Sequence, residues 1–182
     1  MTKKNIILWI ICLVIVDQGT KLIIANYFID TKFDFIDSVF GFHPVFNDKY
    51  TYFNTLLGLN LGLFPRTIVF IIVQFVVVFC YGYFKAIQRR STKLLDIMFV
   101  FSESAVICVF CGFYLWKNGV LDFIYLHFWI FDLKDVYINC FVIILLINAL
   151  IINKKSTNAN IKASDYLLKC WRSIKQYLQR NN

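Results

Sequence analysis

The sequence is poor in the residues that keep a folded surface in water. Charged side chains make up 16% of its 182 residues, where a soluble domain carries about 25%. Proline occurs only twice and glycine seven times, which excludes a Pro/Gly-rich linker or a low-complexity chain. There are two histidines. His43 and His127 stand far apart with no second ligand near either, so neither points to a metal centre. His127, among Phe, Tyr and Trp, reads as an interfacial hydrogen-bonding residue. What takes the place of charge is apolar: 59% hydrophobic residues, with 20 Phe and 10 Tyr. A chain this long buries only about 70% of its unfolded surface, so one aqueous core cannot hide that content. A soluble enzyme, a disordered chain and a disulfide-stapled secreted domain are excluded. The apolar residues fall in blocks long enough to cross a bilayer, so this is an integral membrane protein.

Negative charge is also scarce, with 11 acidic residues against 19 basic ones and a formal net charge of +8. The basic residues sit at the ends of the apolar blocks rather than on one continuous face, so nucleic acid is not the expected partner. The six cysteines (Cys12, Cys80, Cys108, Cys111, Cys140 and Cys170) lie mostly inside apolar runs. There a thiol behaves as a small hydrophobe, and all six read as free thiols with no metal site.

Four spans are expected, at about 6–28, 67–84, 94–116 and 136–152. The opening run IILWIICLVIV is too long for a signal-peptide core alone, and no small-residue cleavage site follows it. Lys3 and Lys4 precede the first span, and Lys85, Arg89, Arg90 and Lys93 surround the link between the second and third. Lys154, Lys155 and the basic tail follow the fourth. The opposite loops carry fewer basic residues, diluted by aspartates. The positive-inside rule then puts both termini in the cytoplasm. The expected fold is a mainly α membrane protein: a four-transmembrane-helix bundle with a small external β-rich platform. Residues 1–155 would form the membrane domain and 156–182 a basic amphipathic tail on the inner leaflet, against its phospholipids. A partly disordered tail is the alternative. The platform is assigned to residues 29–66, as a two- to four-stranded sheet with a turn at Asn47 and Asp48; a disordered interfacial loop is the alternative.

Placement of the acids carries the functional signal. Asp17 falls within the first span, with Lys21 one helical turn later, so the two share a face and can pair. Asp122 follows the third span and Asp135 opens the fourth, bracketing one external segment. Two carboxylates brought close share a proton, one acting as base towards water and the other as acid towards a carbonyl oxygen. That is the chemistry of metal-free peptide hydrolysis, although loop aspartates also commonly just face solvent. Glu103, well inside the third span, needs a partner, a cavity or a proton. Asn54 could clamp an extended backbone or simply form a turn.

Four short motifs resemble the lipoprotein signal peptidases, the type II signal peptidases. VDQGTKLII at 16–24 is similar to that family's Asp-x-x-Ser/Thr-Lys stretch, and YFNTLLGL at 52–59 to its Asn-x-Gly motif. GVLDFI at 119–124 and FDLKD at 131–135 are similar to the segments bearing the family's two catalytic aspartates. The resemblance covers about residues 8–152. It implies a cofactor-free aspartic endopeptidase of the bacterial inner membrane that removes signal peptides from diacylglyceryl-modified lipoprotein precursors. Asp122 and Asp135 would be catalytic, with Asp17, Lys21, Asn54 and Asp132 supporting them or the substrate. A monomer with its active site on the external side is expected. The chain departs from the family pattern at several positions, including Leu56 and Leu57, where small residues are expected after Asn54. VICVFCGFYLW stands where a Gly-Asn-x-x-Asp-Arg stretch is expected, Asp132 replaces an Asn, and Lys134 replaces an Ala. A non-catalytic relative that binds lipidated precursors, or a small membrane transport or assembly protein, are the alternative readings.

Overall fold

The computed structural model describes residues 1–47, 62–87 and 93–154, with 168, 171 and 172 in the tail. Asn54 and the bulk of the expected amphipathic tail lie outside the described residues. Among the described residues the chain is mainly helical, with four helices and a small antiparallel sheet: α1 (Lys3–Tyr27), β1 (Phe33–Ile36), β2 (Phe40–Asn47), α2 (Leu63–Ile87), α3 (Lys93–Leu115), β3 (Val120–Leu126), β4 (Trp129–Phe131) and α4 (Leu133–Lys154). Among the described residues three helices, rather than the four expected, are long and apolar enough to cross a membrane: α1, most of α2, and α3.

Each helix follows from local chemistry. Thr2 caps α1, its side chain accepting the backbone N–H of Asn5 at 3.2 Å. The 25 residues of α1 extend roughly 37 Å at 1.5 Å per residue, more than the roughly 30 Å of a hydrocarbon core. Along that length Ile7, Leu8, Trp9, Ile11, Ile15, Leu22 and Ile23 are exposed, whereas Asp17 and Lys21 are fully buried. The helix is inverted relative to a soluble one: its apolar face suits lipid and its charges face protein. In the centre, α3 packs against α1, α2 and α4, burying more than half of its apolar stretch while α2 buries none of its own. Gly112 lets α3 approach the sheet, since a Cβ there would meet Val120 Cγ2 at 2.8 Å.

The sheet order is β1-β2-β3-β4, all antiparallel. It corrects the expected platform, because only half of its strands come from residues 29–66. The other half comes from the segment after α3, expected to be a loop; β2 pairs with β3 across about 80 residues of chain. Two tight reversals hold it together, with Ser38 (φ 59°) before β2 and His127 (φ 52°) between β3 and β4. His127 fixes the outer end, its Nδ1 lying 3.0 Å from the Ser38 carbonyl oxygen, in keeping with the hydrogen-bonding role read from sequence. The β2–β3 register shifts between Phe42 and Val45, where Pro44 has no N–H to give the ladder. Beyond that bulge Val45 lies opposite Asp122.

The first four residues of β3, Val120 to Phe123, are all buried, so this strand is enclosed on both faces. Leu121 and Phe123 pack with Ile24 of α1, flanked by Phe42, Phe46 and Trp116. Burying a side chain such as Leu121 contributes about 1.5–3 kcal/mol. A second cluster of Ala105, Cys108 and Tyr137 joins α3 to α4, and the Tyr137 hydroxyl donates to the Leu13 carbonyl at 3.1 Å. Asp122 therefore rides on a strand held from both sides, immediately beside the start of α4.

Candidate active site

On α1, Lys21 Nζ lies 3.0 Å from Asp17 Oδ2, with neither side chain exposed. The pair expected from sequence is present, but it is half of what Lys21 does. The same Nζ lies 2.6 Å from Asp132 Oδ2, also fully buried, so one ammonium joins the first helix to the start of the last. Gln18 extends the anchor, donating to Asp17 Oδ2 at 2.7 Å and accepting from the Trp116 indole at 3.0 Å.

FDLKD forms a reciprocal cap at the start of α4. Asp132 Oδ1 accepts the backbone N–H of Asp135 at 3.2 Å, and Asp135 Oδ2 accepts that of Asp132 at 3.3 Å. This is a capping box with aspartate at both positions, and the partial positive charge of the helix N-terminus favours both carboxylates. Asp122 arrives from β3. Asn47, the last residue of β2, donates its side-chain amide to Asp122 Oδ2 at 3.0 Å. The other oxygen, Oδ1, is buried and accepts no hydrogen bond.

Oxygens of Asp122, Asp132 and Asp135 lie within 4.8 Å of one another. Lys134 Nζ sits among them, 2.7 Å from Asp132, 3.5 Å from Asp135 and 3.7 Å from Asp122. Three such carboxylates would suit a hard divalent cation. Here two ammonium groups already offset part of the cluster's negative charge, so the donor set carries some of its own counter-charge.

The three acids are not electrostatically alike. Burial works against ionisation of Asp132, but the Lys134 and Lys21 ammoniums outweigh it and hold its carboxyl below the usual range. Burial pushes the Asp122 carboxyl up, with Lys134 opposing and Asp132 adding to the rise. Asp135, just ahead of the apolar run 136–152, is pushed up to about 7, first by burial and then, against the pull of Lys134, by the charges of Asp132 and Asp122. One ionised carboxylate thus stands beside two that resist ionising together.

Of the residues expected at the site, Asp17, Lys21, Asp122, Asp132 and Asp135 are brought together, and Asn54 lies outside the described residues. Glu103 is elsewhere on α3, accepting a hydrogen bond from Gln74 of α2. His43 is on the outer sheet, 2.7 Å from Asp34 and stacked on Tyr125. The five described cysteines are free. Sequence reasoning missed Asn47, read as a turn residue, and noticed Lys134 only as a departure from a pattern. The alternation of Phe40, Phe42 and Phe46 would have extended a strand to Asn47, but nothing local names Asp122 as its partner.

The profile of the family described as Signal peptidase (SPase) II matches residues 9–151. The fold is similar to that of a bacterial membrane enzyme solved at 1.9 Å by the in meso method, with a TM-score of 0.62 and 23% identity over 81% of this chain and 94% of that one. A second, solved the same way at 2.3 Å, has a TM-score of 0.62 and 20% identity over 88% of this chain and 96% of the other. No curated protein matches the chain by sequence.

Proposed function

This chain belongs to the signal peptidase II family, a membrane-embedded aspartic-type peptidase that processes lipoprotein precursors, and on that premise we propose that Asp122 and Asp135 are its catalytic pair. The observation that carries the proposal is the contrast within the acidic cluster. Asp132 is held ionised by two lysines, while burial resists ionisation of both Asp122 and Asp135, whose carboxylate oxygens lie within 4.8 Å of one another. Asp122, whose Oδ2 accepts from Asn47, is the base that takes a proton from the attacking water. Asp135 holds the shared proton and delivers it to the scissile carbonyl oxygen. When the tetrahedral intermediate collapses, the proton taken by Asp122 goes to the departing amine. Every group needed is a side chain of this chain.

The lipidated precursor is the substrate, and cleavage falls immediately before the lipid-bearing cysteine. A groove of about 380 Å³ between α1 and the β1–β2 hairpin, lined by Thr20, Ile23, Ile24, Phe28, Phe33 and Phe42 among others, lies against the packing around β3. It gives an acyl-bearing segment an apolar surface between α1 and the sheet. In this reading the apolar run 136–152 within α4 is the fourth span, with Asp132 and Asp135 just outside its outer end. Both termini are cytoplasmic, the sheet and the acids are external, and the enzyme acts as a monomer in the bacterial inner membrane.

The test is to incubate the purified protein with a diacylglyceryl-modified precursor and determine the mass and new N-terminus of the product. Cleavage before the modified cysteine is expected. A folded protein that binds the precursor and never cleaves it would establish the binding-only alternative.

A further inference from the structure

We propose that Lys134, held in place by Asp132, is a positioning residue: a built-in counter-ion between the two catalytic carboxylates that sets the pH range in which they share a proton. The inference rests on the reading of Asp122 and Asp135 as the catalytic pair and deepens it.

The geometry carries it. Lys134 is only 8% exposed, and its single ammonium is 3.5 Å from Asp135 Oδ2 and 3.7 Å from Asp122 Oδ1. Oδ1 is the oxygen of Asp122 that accepts no hydrogen bond, so the lysine is the charge that faces it. Lys134 also sits in the first turn of α4, where the helix dipole disfavours a cation. Only the surrounding carboxylates can hold it there. Asp132 supplies the grip at 2.7 Å and is itself fixed by Lys21 at 2.6 Å and by its role as the cap of α4. An acid and a base two residues apart add no net charge beside the pair, and place a cation between its carboxylates.

All the groups facing this ammonium bear on the titration. Asp122 faces it from β3 with Asn47 of β2 behind, and Asp132 and Asp135 face it from the start of α4. Lys21 and Asp17 of α1 lie on the far side of Asp132. Cys108 of α3 and Tyr137 of α4 stand near Asp17 and Asp132. Among the described residues, only Lys134 contacts both members of the pair.

A cation at this range lowers a carboxylate's pKa by about 1–3 units. Lys134→Met should therefore move the acid limb of the kcat/KM profile to higher pH by about 1–3 units, lowering kcat at neutral pH. KM should stay near the wild-type value if Lys134 acts through the pair rather than on substrate. Asp132→Asn keeps the cap but removes the negative charge that offsets Lys134, and should move the limb the opposite way. Lys134→Arg should hold the limb at the wild-type position. The double variant Asp132→Asn, Lys134→Ala should fall on the alkaline side of Asp132→Asn alone.

The measurement is the pH dependence of cleavage of a diacylglyceryl-modified precursor peptide by the full-length detergent-solubilised enzyme. An unmoved limb in Lys134→Met, or shifts of the same sign in Lys134→Met and Asp132→Asn, would overturn the proposal. Should Lys134→Met fail to fold, the double variant decides: a limb coincident with that of Asp132→Asn overturns it equally. A wild type that does not cleave, or full activity in Asp122→Asn and Asp135→Asn, would instead remove the catalytic pair and the role of Lys134 with it. A working pair whose profile ignores Lys134 defeats this inference alone.

Discussion

Replacing Lys21 with Met tests whether the buried charge network holds α1 to the catalytic end of the protein. Met has nearly the same length and suits the buried site, so the change removes a charge and leaves little void. The two carboxylates bound by Lys21 are affected unequally. Asp132 retains Lys134 at 2.7 Å. Asp17 is left with the Gln18 amide on Oδ2, and its Oδ1 already accepts nothing. An uncompensated buried charge costs about 3–5 kcal/mol when its partner is removed. At about 2–4 °C per kcal/mol for a chain of this size, the melting temperature should fall by on the order of 10 °C. Asp17→Asn together with Lys21→Met removes the stranded charge and should recover much of that loss. The assay is thermal unfolding in detergent, followed by reaction of a thiol-selective dye with Cys108, which is completely buried in the folded protein. A Lys21→Met protein that melts within about 2 °C of wild type and still cleaves would refute the claim that the Lys21–Asp132 pair ties α1 to the start of α4.

Two other outcomes are expected. Asn47→Ala removes the amide that donates to Asp122 at 3.0 Å; a hydrogen bond to a charged group is worth about 1.5–3 kcal/mol, so kcat should fall by roughly ten- to a hundred-fold in steady-state cleavage assays, with little change in KM. Stability should depend on pH through Asp135, whose folded-state value of about 7 lies above its usual 3.8. A raised value means that protonation favours the folded state. That stability is full below 3.8 and is lost as pH rises through about 7, so melting temperature should decline over this window in wild type and much less in Asp135→Asn.

What could be read from the sequence is what short-range chemistry encodes. Asp17 and Lys21 are one turn apart, so a helix forces them together, and the aspartates of GVLDFI and FDLKD stand close enough in sequence for one tight excursion to join them. The apolar runs announced their helices, although their lengths alone did not set how many of the described ones qualify as spans. What could not be read depends on pairing over distance. β2 meets β3 across the whole of α2 and α3, and no local pattern names a strand's partner, so the sheet was divided wrongly and Asn47 was taken for a turn. Lys21 presented an obvious partner at i−4 and hid a second, shorter one at Asp132. Lys134 stands out in sequence only as a cation among acids; its three carboxylate contacts depend on β3 meeting the start of α4.

The central claim is that, of three neighbouring carboxylates, Asp122 and Asp135 do the chemistry and Asp132 does not. Single-turnover cleavage of a diacylglyceryl-modified precursor by wild type, Asp122→Asn, Asp135→Asn and Asp132→Asn tests it most directly, with products identified by mass. Each substitution nearly preserves shape and removes one ionisable group. The account predicts near-complete loss of cleavage in Asp122→Asn and Asp135→Asn, and product with the same new N-terminus in Asp132→Asn at a shifted pH optimum. Loss of cleavage in Asp132→Asn with activity retained in either of the other two would contradict it and move the catalytic pair onto Asp132.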